Sequence, residues 1–394
     1  MLNFAQRISR LGTEQAFHVL ARAKQAEREG RDMIHMEIGD TDFQTPQPIV
    51  EAAIQALRDN KTKYLPSAGL MELREVLAEQ MSTSRGISAK PEEMIVTPGG
   101  KPMIFYTLLA LVNEGDEVIY PNPGFPTYES VINFIGAKPV ALEMNGENGF
   151  NFDIAELKRL ANSKTKLIIV NSPQNPTGGI LTHESLEAIV EVAKQNDAWI
   201  FADEVYSELV FEGKFESILS IPGARERTIV LDAYTKTFSM SGWRCGYGLC
   251  PTKEMADVIA NLINNSVSCA ANFTQWAGIA AWKDPAMPQA VADMREELRK
   301  RRDVLYAGLE NLEGVSCHLP QGAIYLFPDI TGTGRSSQDV YNFMFDETNI
   351  AVLPGTSFGR FGEGYIRLSF ANNPISRIEE AITRLAKAWP KLIG

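Results

Sequence analysis

Four short polar motifs hold the residue types that can do chemistry: TPGGK at 97–101, NSPQNPTGG at 171–179, DEVY at 203–206 and YTKTFSMSGWR at 234–244. Each stands at the end of an apolar run. Asp203 closes WIFA, where burying an unpaired carboxylate is costly, so the sequence predicts a cationic partner for it. Lys236 follows TIVLDAY, and a lysine withdrawn from water can stay neutral enough to act as a nucleophile. Gly99 and Gly100 precede a helix whose free N–H groups form an anion cradle, to which Arg244 can add a bidentate clamp. A lysine able to form a Schiff base, an acid for a pyridinium nitrogen and a phosphate cradle together describe a pyridoxal phosphate pocket.

Such motifs need strands to carry them. Between about residues 90 and 250 the runs IVTP, EVIYP, KPVALEM, KLIIVNSP, WIFADEVY, TIVLDAY and WRCGYGLCP alternate with helical periods, among them those from Lys101, Asp153 and His183. LIIV and TIVL lack polar alternation, as strands buried on both faces do. The predicted class is α/β, a mostly parallel central sheet flanked by helices. Loops beyond the carboxyl ends of such strands converge on one site. After Asn272 come helices, including a charged one through MREELRKRRDVLYAGLENLE, and the strands GAIYLFP, NIAVLP and YIRLSF. This predicts a smaller α+β unit. The first 45 residues hold an amphipathic helix, EQAFHVLARAKQAER, but no sheet-forming rhythm, so they are expected to pack on that unit. The expected division is 46–285 for the large domain, with 1–45 and 286–394 forming a discontinuous small one.

The chain resembles the class I/II aminotransferases, a family of fold-type I pyridoxal phosphate enzymes, from IGDTDFQTP at 38–46 to GEGYIRLSF at 362–370. The resemblance implies that Lys236 carries pyridoxal 5′-phosphate as a Schiff base, that Asp203 partners the ring nitrogen, and that Tyr206 and Asn175 donate to the phenolic oxygen. It makes Phe125 of PNPGFPTY the stacking aromatic. Gly100 and Lys101 would offer backbone N–H groups to the phosphate, Arg244 would clamp it, and Tyr64 of KYLPSAG would reach it from a neighbouring subunit. A homodimer is therefore expected. Arg367 would hold the substrate α-carboxylate, helped by Asn175 and the backbone at Gly39, and cis peptides are implied at Asn122-Pro123 and Asn175-Pro176. One departure is AYTK before the lysine, where relatives usually carry small hydroxyl residues; Ala233 has no hydroxyl, and Thr235 is the candidate replacement.

By resemblance, Lys236 would shuttle the proton as an α-amino acid hands its amino group to a 2-oxo acid. Lys101 resembles a position that some relatives use for a distal carboxylate, but it can equally be a solvated helix-start residue. The arm around Phe17, laid over the side-chain pocket, would favour apolar or aromatic groups. A C–S lyase or amino-acid oxidase uses the same Lys, Asp and Arg, and a non-catalytic cofactor-binding regulatory module is the alternative from another class.

Composition narrows the field further. Among 394 residues, 38 Lys and Arg against 49 Asp and Glu leave a net charge of −11, which argues against nucleic acid or anionic lipid as partners. No apolar run reaches the roughly 18 residues of a membrane span, and Met1–Asp32 lacks a signal-peptide core. Cys245, Cys250, Cys269 and Cys317 have no disulfide or zinc spacing, so free thiols and a cytoplasmic location are expected. The four histidines, His18, His35, His183 and His318, are too scattered to predict a metal site. GTSFG at 355–359 matches a nucleophile elbow in letters only, since a strand follows it and no histidine lies beyond His318. Gly246-Tyr247-Gly248 lacks a third glycine and Gly100-Lys101 runs into Pro102, so dinucleotide and Walker A loops are set aside. Lys101, Lys236, Arg244 and Arg367 are expected to collect in one positive pocket.

Overall fold

The strands of the chain are β1 (Ile34–His35), β2 (Met94–Thr97), β3 (Glu117–Asn122), β4 (Lys138–Glu143), β5 (Thr165–Asn171), β6 (Trp199–Asp203), β7 (Thr228–Ala233), β8 (Gly246–Leu249), β9 (Tyr325–Leu326), β10 (Ile350–Ala351), β11 (Leu353–Pro354) and β12 (Ile366–Ser369). The computed structural model describes residues 4–12 and 14–393, so residues 1–3, 13 and 394 of the expected small domain lie outside it. Seven strands form one sheet in the order β2-β8-β7-β6-β5-β3-β4. β8 is antiparallel to both neighbours, which leaves the other six running in one direction.

Side-chain alternation explains why these runs are apolar throughout. In β5, Leu167 and Ile169 pack to one side with Val118, Phe201, Ile229 and Ile259. Ile168 and Val170 pack to the other with Ile119, Ile200, Val230 and Ile189. Helices Lys101–Leu111 and Lys253–Ser266 cover the first side, and helix His183–Gln195 covers the second. This is the predicted α/β architecture. The helix starts are fixed locally as well: Asp153 accepts from the Ala155 N–H at 2.8 Å and Thr182 from the Ser185 N–H at 3.2 Å, each satisfying a donor of the first turn.

Two short sheets lie outside this layer. β9, β12 and β11 form an antiparallel trio, and β1 pairs in parallel with β10 through Ile34 opposite Ile350. The first 45 residues thus contain a strand that the sequence reading did not expect, since two residues are too few to set up a period. Helix Gln15–Arg28 buries Ala16, Val19, Ala23 and Ala26, the spacing of one helical face. The charged helix spans Met287–Leu309, earlier than expected, with Pro288 in its first turn, where a missing N–H costs nothing. GTSFG is a short 3-10 turn, Gly355–Phe358, followed by a second one at Arg360–Gly362 before β12. Among the described residues no helix is long and apolar enough to cross a membrane, and all four cysteines are free.

One buried cation ties the middle of the sheet together. Arg85 donates through Nε to Glu204 at 3.1 Å, and through Nη2 to Asp232 and to the Ser207 hydroxyl, each at 3.0 Å. Its side chain and both carboxylates are almost fully covered. Removing the cation would strand two buried carboxylates, so Arg85→Leu is expected to cost about 3–5 kcal/mol of stability. Urea unfolding followed by fluorescence measures this, and an unchanged midpoint would contradict it.

Candidate active site

The cradle begins where β2 ends. The Thr97 hydroxyl donates to the Gly99 carbonyl at 2.7 Å, and Gly99 takes φ +91°, a conformation open to glycine. A side chain there would also overlap the Arg244 guanidinium. Gly100 caps helix Lys101–Leu111 without a side chain of its own, so the Gly100 and Lys101 N–H groups stand at the positive end of that helix. Pro102, next in the turn, has no N–H. Arg244 is held beside them by its bond to the Ser241 carbonyl at 2.7 Å. This corner is built for a phosphate-like anion.

Across a cavity of about 580 Å³ lie two buried charges of opposite sign. Asp203, at the end of β6, is only 5% exposed. It accepts from the Tyr128 hydroxyl at 2.6 Å and the Val205 N–H at 3.3 Å. Among the described residues Asp203 is bonded by a phenol and an amide and forms no ion pair with a side chain. Desolvation pushes its pKa up to about 6, against the downward pull of Tyr128, Val205 and the more distant Lys236 charge. Arg367, on β12, is 4% exposed. Its Nη1 donates to Asn175 Oδ1 at 3.1 Å and its Nη2 to the Glu37 carbonyl at 2.5 Å, while Nε is buried without a partner among the described residues. The rings of Tyr325 and Phe358 lie 4.4 and 4.7 Å from its guanidinium carbon. Burial lowers its pKa, since desolvation disfavours the charged form.

Lys236 sits between them on the short helix Tyr234–Thr237 that follows β7. Partly buried rather than fully so, it donates from Nζ to the Gly39 carbonyl and lies 5.9 Å from the centre of the Tyr206 ring. Gly39 must be glycine, because a side chain would overlap the Tyr325 hydroxyl.

Of the residues singled out from sequence, Gly39, Gly100, Lys101, Phe125, Asn175, Asp203, Tyr206, Lys236, Arg244 and Arg367 all line this one cavity, and so does Thr235 beside Ala233. Tyr64 does not; it is 85% exposed. The Lys101 side chain turns to Glu14, with which it forms an ion pair. Asn122-Pro123 and Asn175-Pro176 are cis, as is Ser172-Pro173. Sequence reasoning missed Tyr128, the donor to Asp203, and Tyr325, whose hydroxyl meets that of Tyr206 at 2.8 Å. It also missed Asn171, whose amide donates to the Asp203 carbonyl at 3.1 Å and accepts from the Asn175 N–H at 2.9 Å. Tyr128 lies inside the quoted PNPGFPTY and Asn171 opens NSPQNPTGG, so only Tyr325 had no signal beyond its strand.

Residues 31–385 match the family model for aminotransferase class I and II. The chain is 37% identical over 393 residues to the probable aspartate/prephenate aminotransferase of Aquifex aeolicus, covering 98% of this chain and 99% of that one. It is also 37% identical over 357 residues to aromatic-amino-acid aminotransferase 2 of Thermococcus litoralis, covering 90% and 91%. The solved aspartate aminotransferase from Thermus thermophilus with maleate superposes with a TM-score of 0.94 at 35% identity, covering 98% of this chain and all of that one. With its mostly parallel sheet, its convergent strand ends and these full-length likenesses, the chain belongs to the class I and II aminotransferases and is a transaminase.

Proposed function

We propose that the chain moves the amino group of an α-amino acid to a 2-oxo acid with pyridoxal 5′-phosphate seated in the cavity between Asp203 and Arg367. The observation that carries this reading is that both are buried charges without an ion-pair partner among the described residues. Each needs an external counter-ion to be stable at neutral pH. A protonated pyridine ring answers Asp203, a substrate α-carboxylate answers Arg367, and a phosphate fits the glycine-opened helix start. Gly100, Lys101 and Arg244 would hold that phosphate, Thr235 supplying the hydroxyl that Ala233 lacks. Phe125 would cover the ring, and Tyr206 with the donor half of the Asn175 amide would meet its phenolic oxygen. Lys236 would carry the group through Nζ.

Bound there, pyridoxal phosphate supplies an electron sink that acidifies the C–H bond at the substrate α-carbon. The remaining work falls to side chains. Arg367 fixes the carboxylate and thereby orients the α-carbon, with Asn175 holding the guanidinium in plane. Once the substrate amine has taken its place, Lys236 would take the α-proton on Nζ and give it, from the same side, to the cofactor carbon, with the Gly39 carbonyl positioning the lysine amine. Asp203 keeps a negative charge opposite the ring nitrogen, and Tyr128 holds the carboxylate in place. The exposed Tyr64 is proposed to reach the phosphate of a second copy in a homodimer. The 46–285 and 1–45 with 286–394 division belongs to the same proposal, supported by the pairing of β1 with β10. A cytoplasmic site of action is proposed on the four free thiols.

Mixing the holoprotein with single amino acids in the absence of acceptor tests the reaction. Release of the 2-oxo acid, with the pyridoxal absorbance replaced by that of the pyridoxamine form, is expected; ammonia or peroxide would point instead to elimination or oxidation. Lys236→Ala should lower turnover by at least roughly 10²–10⁴-fold, the usual worth of a positioned acid-base, and retained transamination would sink its assigned role. Arg367→Lys gives up the planar two-point clamp, for an expected loss of about 2–3 kcal/mol, roughly 30- to 150-fold in kcat/KM. Most of that should appear in KM for both amino and 2-oxo acids.

The pH dependence follows from Tyr128. Its hydrogen bond lowers the Asp203 pKa, so Tyr128→Phe raises that pKa above its starting value of about 6. The carboxylate form is then lost at a higher pH as the solution is acidified. In the cofactor-free protein, the pH at which affinity for pyridoxal phosphate falls on acidification should therefore move upward in this variant; a fall-off that stays or moves down refutes the link.

A further inference from the structure

The N-terminal arm brings to the cavity a carboxylate that the reaction above does not use. Glu14, immediately before helix Gln15–Arg28, forms an ion pair with Lys101 and accepts from the Thr127 hydroxyl at 3.0 Å. Its side chain is mostly covered, at 18% exposure, while that of Lys101 is 44% exposed. The same ammonium lies 5.5 Å from the centre of the Phe17 ring and 5.6 Å from that of Phe125. Glu14, Phe17, Lys101, Phe125 and Arg367 all line the one cavity, and the charge of Glu14 is among those acting on Arg367.

A count of charges gives this pair its meaning. With Arg367 assigned to the α-carboxylate and Arg244 to the phosphate, the Lys101 ammonium is the cation left for a substrate side chain. Glu14 already matches it from within the protein. A second substrate carboxylate would arrive beside Glu14 and meet a like charge. An uncharged ring would leave the ion pair intact and find the aromatic face of Phe17, 56% exposed at the cavity. We propose that Glu14 sets the side-chain specificity of this transaminase: paired with Lys101 it stands in for a second carboxylate, so the cavity prefers uncharged and above all aromatic amino acids, and dicarboxylic ones enter only by displacing it. This rests on the reading that amino acids are bound through Arg367.

The test compares holoenzymes carrying Glu14, Glu14→Gln and Glu14→Asp in the donor half-reaction. The ratio of kcat/KM for aspartate and glutamate to that for phenylalanine and tyrosine should rise about five- to tenfold in E14Q, the size of one partly covered ion pair. E14D keeps the charge and should keep the wild-type ratio. Inhibition without turnover gives a second readout: E14Q should tighten maleate relative to 3-phenylpropionate by a similar factor. A ratio that does not respond to E14Q, or an equal response in E14D, overturns the assignment of Glu14 alone. A wild-type holoenzyme that processes no amino acid removes the underlying reading instead.

Discussion

The buried guanidinium of Arg85 joins the ends of two neighbouring strands, and the geometry of the cavity follows from that bond. Glu204 comes directly after Asp203 on β6, and Asp232 lies four residues before Lys236 at the end of β7. By gripping both carboxylates at once, Arg85 fixes how far the acid of one strand stands from the amine that follows the other. A buried ion triad adds little net stability, since desolvation offsets most of the Coulombic gain, but breaking it is costly. Its contribution is to make one relative placement of β6 and β7 far better than its neighbours.

What was legible in the sequence was whatever could be read along a single strand. Asp203 and Lys236 stand out because a polar group closes an unbroken apolar run, and the glycines of TPGGK stand out because they abut a helix. What was not legible depends on contacts across the chain. Tyr128 meets Asp203 from 75 residues away, Tyr206 meets Tyr325 across 119, and Arg85 reaches Asp232 across 147; no local pattern encodes such pairs. The expected cation for Asp203 illustrates the limit. Within the described chain the desolvated carboxylate meets a phenol and an amide, so its charge is cancelled by no side chain that a local pattern could have named. β1 escaped for a different reason: a strand of two residues has no period to detect.

The cavity is not the uniformly positive pocket that its four cations suggested. Lys101 is matched by Glu14, and Asp203 and Asp40 also line the wall, the latter accepting from the Ser241 hydroxyl at 3.0 Å. Among the described residues Arg367 has only neutral partners, with the backbone carbonyl of Glu37 on one side and an amide oxygen on the other. The field inside is therefore a set of separate local poles, each suited to one group of a bound molecule, instead of a broad attraction for anything anionic.

The position of β12 has a consequence for how the protein is made. The seven-stranded sheet lies wholly within residues 94–249, whereas Arg367 comes near the end of the chain, on a strand hydrogen-bonded to β9 and β11. During synthesis from the N-terminus, the sheet with Asp203 and Lys236 has left the ribosome long before Arg367 exists. A nascent or prematurely terminated chain of this kind carries Asp203 and Lys236 without the buried cation that faces the same cavity. Arg367 is the last residue of the cavity wall to be made.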